Sequence, residues 1–190
     1  MATSLVFIGY IPYFRDIVNR KTKPHIYSWF IWSLVTMIVF ALQISNSAGT
    51  ASFATLAASI MCLTVLVLGA IYKSKVKITK IDTIFFVMSL LSLGFWLVAK
   101  EPIISSILIT IVNFLGFIPT MRKSWEKPFT ETLFLYYFNA FRYSLTVFSL
   151  QRYSIITALY VVTCLTTTVI FIAMVNLRRR QFAFTSSQLK

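Results

Sequence analysis

The apolar stretch 132–150 carries polar side chains at a spacing that could build a binding site. Four of them fall on one face of an α-helix, at intervals of four, three and four residues: Thr132, Tyr136, Asn139 and Tyr143. Arg142 borders this face, about 12 Å from the C-terminal end of the stretch at 1.5 Å per residue. If this stretch crosses a membrane, the charge of Arg142 costs at least about 2.5–3.5 kcal/mol, so it should face a cavity or a partner. Backbone carbonyls, water and an anionic group of a substrate all remain candidates for that partner.

The composition places this stretch in a membrane. The chain has 190 residues, 58% of them hydrophobic, and a mean hydropathy of +0.80. Only 12% of the residues are charged, against roughly a quarter in a soluble domain, yet the net charge is +13. Such hydrophobicity excludes a soluble nucleic-acid-binding protein and a disordered chain. An integral, multi-pass membrane protein is the class that fits both numbers, and the sequence leaves open which membrane it occupies.

Seven stretches are candidates for membrane-spanning helices, which need about 20 mostly apolar residues each. They are residues 3–17, 27–44, 51–72, 81–99, 102–121, 132–150 and 154–177. The first is short and contains Pro12, but it lacks the basic start and the cleavage site of a signal peptide. The sequence therefore predicts an all-α membrane protein with seven transmembrane helices.

The basic residues predict how these helices are oriented. Of the 18 lysines and arginines, 15 fall in the segments after the first, third, fifth and seventh stretches. Cytoplasmic loops carry such an excess, so the N-terminus is predicted outside and the C-terminus in the cytoplasm. The same segments, including a basic tail at 178–190, are expected to contact anionic lipid on that face.

Three motifs recur in the same order and indicate an internal repeat. The segment 9–15 (GYIPYFR) matches 116–122 (GFIPTMR), a Lys-Pro pair recurs at 23–24 and 127–128, and Cys-Leu-Thr recurs at 62–64 and 164–166. Repeat 1 would cover residues 1–73 and repeat 2 residues 102–177, joined by a linker helix at 80–100, all within one domain spanning 1–177. Because the linker crosses the membrane once more, the two three-helix repeats are predicted to be parallel.

This arrangement resembles the PQ-loop/SWEET (MtN3-like) superfamily of seven-helix membrane proteins. The resemblance rests on the 3+1+3 layout and on Pro12 and Pro119, which stand where that family has its Pro-Gln motifs; Tyr13 and Thr120 take the place of the Gln. It implies a substrate site between the repeats near the middle of the membrane. It does not identify the solute, which could be a sugar, vitamin, amino acid or anion.

Two prolines and a further set of side chains complete the predicted site. Pro12 frees the carbonyl of Ile8 and Pro119 that of Leu115, so each acts either as a hinge between the repeats or as a static kink. Five residues are predicted to line the site: Trp32, Asn113, Tyr136, Asn139 and Arg142. Trp29 is instead interpreted as an anchor at the membrane boundary, and Cys62 and Cys164 as packing residues.

The sequence therefore favours facilitated transport of a small polar solute by alternating access. No catalytic constellation, metal-ligand cluster or cofactor motif is recognisable, so an enzyme is not expected. Nucleic acid is not an expected partner, and the sequence is compatible with a homo-oligomer. The alternative is a non-transporting relative that acts as a receptor, scaffold or chaperone for another membrane protein. A polar cavity between the repeats would favour transport, and a solid apolar centre would favour partner binding.

Overall fold

The computed structural model describes residues 2–45, 52–72, 76–99, 101–148 and 155–188, and in these ranges the regular structure is entirely helical. Seven α-helices follow one another: α1 (Ala2–Val18), α2 (Ile26–Ser45), α3 (Ser52–Ile71), α4 (Lys80–Val98), α5 (Pro102–Glu126), α6 (Leu133–Phe148) and α7 (Ile155–Gln188). A single 3-10 turn, Pro128–Thr130, stands between α5 and α6. Each predicted stretch corresponds to one of these helices.

Two helices extend well beyond their predicted ends. Helix α5 continues to Glu126 rather than residue 121, and α7 continues through the predicted basic tail to Gln188. The segment 178–188 contains neither Pro nor Gly, the residues that most often stop a helix. The basic residues 178–180 therefore lie in a helical extension of α7.

Among the described residues, three helices are long and apolar enough to cross a membrane: Lys80–Val98, Ile103–Glu126 and Ala158–Phe184. Two shorter apolar stretches, Ile26–Ala41 and Thr55–Ile71, lie in α2 and α3. Exposed large apolar side chains occur along most of the helices, as on Phe95 and Leu97 in α4. These features indicate a helical membrane protein.

The helices pack in a definite pattern. Helix α3 packs against both α1 and α2, and α7 packs against both α5 and α6. The two groups meet where α2 packs on α5 and α1 packs on α6. Helix α4 lies against α5 and α2. The larger core cluster draws side chains from both groups. Tyr13 of α1, Val65 of α3, and Phe171 and Val175 of α7 are all fully buried in it.

Glycines allow the close approach of helices at two of these contacts. A Cβ atom added at Gly9 in α1 would lie 2.8 Å from Cδ1 of Phe138 in α6, and one at Gly116 in α5 would lie 2.7 Å from Cγ2 of Ile31 in α2. Real Cβ atoms do not approach other heavy atoms so closely. The absence of a side chain at Gly9 and Gly116 is therefore what lets these helices pack together.

Replacing Gly116 with alanine is expected to lower the free energy of unfolding by up to about 2 kcal/mol. The added methyl group collides with the branched Ile31 side chain, an overpacking cost of about 1–3 kcal/mol that exceeds the helix-propensity gain of about 1 kcal/mol. Gly94→Ala in α4 is the matched control, because nothing lies within 4 Å of a Cβ there. Denaturant titrations of both variants in detergent check the prediction, and equal stability of the two would contradict it.

Candidate functional site

A cavity of about 90 Å³ lies at the centre of the bundle. Side chains from α1, α2, α3, α5, α6 and α7 line it, so both helix groups contribute. Aromatic rings form much of the wall; the Trp32 and Phe117 rings, for example, have centroids 5.2 Å apart. Polar groups from α5, α6 and α7 reach the same space.

All five residues predicted to line a site face this one cavity: Trp32, Asn113, Tyr136, Asn139 and Arg142. They come from three helices, α2, α5 and α6. The structure therefore brings the predicted set together, while their role in binding a solute remains a prediction.

The two predicted hinge prolines lie just beyond the cavity. Pro12 is inside α1 and Pro119 is inside α5. Each follows by two residues an aromatic side chain that lines the cavity, Tyr10 and Phe117 respectively. A bend at either proline would therefore move part of the cavity wall.

Trp29 is not the boundary anchor that the sequence interpretation made it. Its side chain is buried, with only 2% exposed, and it lines the cavity. Its ring packs edge-on against Tyr10 and Trp32, at centroid distances of 6.2 and 5.0 Å. Its nearness to the helix start suggested the membrane boundary, but sequence position alone does not show which face of α2 meets the bundle interior.

The two cysteines also belong to the cavity wall, beyond the packing role expected of them. The Tyr10 hydroxyl and the Cys62 thiol lie 3.4 Å apart, and either can donate the hydrogen bond between them. The Asn113 amide donates to the Cys164 thiol over 3.3 Å. In both cases the first helix of a group bonds to its third helix, α1 to α3 and α5 to α7. The repeated Cys-Leu-Thr motif was the signal that could have placed these thiols at the site.

Arg142 supplies the charge of the cavity. Its guanidinium lies over the Tyr143 ring, 4.7 Å from the ring centroid. Among the described side chains, no Asp or Glu forms an ion pair with it. Arg142 is also the one residue with a formal charge among the described residues that line the cavity.

Buried aromatic side chains close the cavity toward the C-terminal end of α1 and the N-terminal end of α6. Tyr13 and Phe171 are completely buried and, with Trp29 and Tyr136, pack ring against ring. Beyond them lies a cluster of polar groups that joins several helices. The cavity therefore has a sealed floor on this side.

Glu131 is the centre of that polar cluster, which we call the Glu131 cluster. Its carboxylate forms an ion pair with Lys123 and accepts hydrogen bonds from the hydroxyls of Tyr13 (2.6 Å) and Tyr136 (3.3 Å). The Arg179 guanidinium donates to its backbone carbonyl over 2.5 Å. The Glu131 side chain is completely buried among the helices. The cluster thus ties α1, α5, α6 and α7 together beneath the cavity.

A second charged cluster surrounds Asp82 at the start of α4. Arg122 donates to both carboxylate oxygens over 2.7 and 2.6 Å, and Thr79 and Asp82 form a reciprocal cap on the helix. His25, which the sequence placed in a basic loop, is fully buried with Nε2 3.5 Å from Asp82. Burial lowers the pKa of His25 to about 4, although the Asp82 carboxylate opposes that shift.

The lowered pKa of His25 predicts that acid destabilises the protein. The unfolded state binds a proton near pH 6.5 and the folded state only near pH 4, so stability is complete above pH 6.5 and is lost as the pH falls toward 4. The loss attributable to this residue is on the order of 3 kcal/mol. Unfolding curves at pH 7 and pH 5 should show a smaller difference for His25→Gln than for the natural protein. An identical pH dependence of the two would contradict the prediction.

The described residues contain no group of three or more His, Cys, Asp or Glu side chains that could hold a metal ion. No protein-family model, no curated protein and no solved structure matches the chain. The resemblance to the PQ-loop/SWEET superfamily therefore rests on the quoted motifs alone and stays a prediction.

Proposed function

We propose that this protein moves a small polar solute across a membrane by alternating access between two three-helix repeats. The observation that carries the proposal is the polar cavity between the two helix groups, which Arg142 and Asn139 both reach. A charged side chain within a membrane helix is energetically costly. Such residues face the bundle interior or a water-filled cavity, and they mark substrate or ion pathways. A site enclosed by two groups of helices could be exposed to either side if the groups rock against each other.

The packing pattern supports two equivalent repeats. Among the six helices other than α4, exchanging α1 with α5, α2 with α6 and α3 with α7 leaves the set of contacts unchanged, because α1–α3 becomes α5–α7 and α2–α5 becomes α6–α1. Helix α4 packs on α2 and α5 and stands outside this exchange. The glycine contacts fall on the two exchanged interfaces, α1–α6 and α5–α2. The paired hydrogen bonds to Cys62 and Cys164 follow the same exchange.

Seven membrane crossings with a cytoplasmic C-terminus are part of the same proposal. Helices α2 and α3 each have 20 residues, about the length that a crossing requires. The Glu131 and Asp82 clusters include Lys123, Arg122 and Arg179, which belong to the segments predicted as cytoplasmic. The sealed floor would then face the cytoplasm, and opening toward that side would require the Glu131 cluster to separate.

The alternative is a receptor, scaffold or chaperone that transports nothing. That function calls for a solid, apolar bundle centre and a polar groove facing outward. A polar cavity at the centre, with two asparagines and an arginine in its wall, favours the transport proposal instead.

Uptake by the purified full-length protein in liposomes tests the proposal. A panel of labelled sugars, amino acids, vitamins and organic anions should include at least one solute with saturable, protein-dependent uptake. Arg142→Ala should abolish that uptake, whereas Arg180→Ala, at an exposed position on α7, should not. Uptake of no solute in the panel, by protein that is monodisperse and folded, would refute transport.

A further inference from the structure

We infer that the central cavity selects a small anion, with a carboxylate group bound by Arg142. This inference rests on the proposed function and names the class of solute that the same site would take. It follows from the charge, the hydrogen-bonding groups and the size of the cavity.

The charge of the cavity is unbalanced. Arg142 contributes one positive charge, and the described lining residues contribute no negative one. The carboxylate of Glu131, just before α6, is already paired with Lys123 below the sealed floor. Helix α6 begins at Leu133, just after Glu131, and Arg142 lies about 13 Å farther along the helix axis. The Arg142 side chain is partly buried, so a guanidinium there without a counterion is unfavourable, and an anionic solute would supply that counterion.

Hydrogen-bonding groups in the wall favour a solute that accepts rather than donates. Trp29, Trp32 and Arg142 carry groups that can only donate. No group that can only accept, such as a carboxylate, is present among the described lining residues. The two asparagines and the tyrosine hydroxyls can adapt to either role.

The Asn113 amide strengthens this bias only in part. Its nitrogen gives one of its two hydrogens to the Cys164 thiol, which leaves the second N–H and the carbonyl oxygen to bind a solute. The carbonyl oxygen can accept a hydrogen bond from the hydroxyl of a hydroxy acid. It cannot take over the role of the Arg142 charge in binding the carboxylate. A cationic solute would meet this oxygen together with repulsion from the guanidinium, so cations are disfavoured.

The size of the cavity limits the solute to a compact molecule. Its volume of about 90 Å³ is well below the about 300–1,000 Å³ of pockets for drug-sized ligands. The aromatic walls offer apolar surface for a short carbon body, and a planar carboxylate matches the two-pronged donor geometry of a guanidinium. A short-chain mono-carboxylate or hydroxy acid fits these conditions.

Binding to the purified full-length protein in detergent tests the inference. Thermal unfolding is measured with acetate, propionate and lactate, and with the neutral amides acetamide, propionamide and lactamide. Ionic strength is balanced with sodium chloride, and inorganic phosphate is a separate arm. Ligand that binds the folded state raises the unfolding midpoint.

We expect at least one carboxylate to raise the midpoint in a saturable manner, and its matched amide to have no effect. Arg142→Gln should weaken carboxylate binding by about tenfold or more, because a charged hydrogen-bond partner is lost. Arg142→Lys should retain part of the binding, since it keeps the charge but not the fork. Arg180→Gln serves as the control for charge at a distance.

Equal stabilisation by carboxylates and amides, or stabilisation by phosphate alone, would overturn the inference. The comparison of carboxylate with amide needs no variant, so it holds even if Arg142→Gln does not fold. Carboxylate binding without uptake in liposomes would leave the anion site intact and refute transport. Uptake of a neutral solute without carboxylate binding would do the reverse.

Discussion

Replacing Lys123 with methionine is expected to lower the free energy of unfolding by about 3–5 kcal/mol. The ammonium group of Lys123 forms an ion pair with Glu131 in a place where both side chains are almost inaccessible to solvent, at 3% and 0% exposure. Removing one partner of a buried pair leaves the other charge desolvated and uncompensated. Methionine keeps an unbranched side chain of similar length, so the loss of charge dominates over the loss of packing.

The double variant Lys123→Met/Glu131→Gln should recover much of that loss. Neither residue is then charged, and the glutamine carbonyl oxygen can still accept the hydrogen bond that the Tyr13 hydroxyl gives to Glu131. The bonds from Lys123 to the carbonyls of Lys23 and Thr130 remain absent, so recovery is incomplete. Denaturant titrations of the two single variants and the double variant measure the coupling between the charges.

Lys127→Met provides the control at the end of the same helix. Lys127 has an exposed side chain, and its substitution should change stability by less than about 0.5 kcal/mol. If Lys123→Met proved as stable as Lys127→Met, the ion pair would not be buried as described. The Glu131 cluster would then not form the sealed floor.

The positions of the helices and part of the cavity wall could be predicted from local patterns. Apolar stretches marked each helix, and the polar face of α6 identified Tyr136, Asn139 and Arg142. These predictions work because helical periodicity depends on residues close in sequence. The repeated glycines were predictable for the same reason, since their motif recurs in the chain.

The burial of Glu131, His25 and Trp29 could not be predicted in this way. Glu131 is buried because Lys123 and Tyr13 reach it from other helices, and such pairings leave no mark on the neighbouring sequence. A charged or aromatic residue near a helix end has the same local pattern at an interface and in a buried cluster. The folded packing of the connecting segments decides between the two, and it is a property of the whole bundle.

The contacts of the two cysteines combine a motif that is visible in the sequence with packing that only the folded chain determines. Each sits on the third helix of its group and receives a contact from the first, Tyr10 to Cys62 and Asn113 to Cys164. The two cysteines of the recurring Cys-Leu-Thr motif thus have different partners, a phenol in one group and an amide in the other. Two copies of one helix arrangement can in this way build an asymmetric cavity, with the charge of Arg142 on one side only.

Ala58→Phe should abolish uptake, a loss of at least about 100-fold, if the central cavity is the solute pathway. Ala58 in α3 lines the cavity, and a phenyl ring placed there would fill much of a space of about 90 Å³. A solute that must pass through this space would be excluded sterically, whatever its charge. Initial uptake rates in liposomes, for the solute identified with the natural protein, measure the effect.

Ala70→Phe is the matched control, because it adds the same ring to the same helix at an exposed position. Overpacking costs about 1–3 kcal/mol, so both variants are compared only as monodisperse protein with measured unfolding midpoints. If Ala58→Phe is folded and transports at the natural rate, the cavity is not the pathway. If it loses uptake while Ala70→Phe keeps it, the solute passes between the two helix groups, because the substituted side chain touches that space and the control does not.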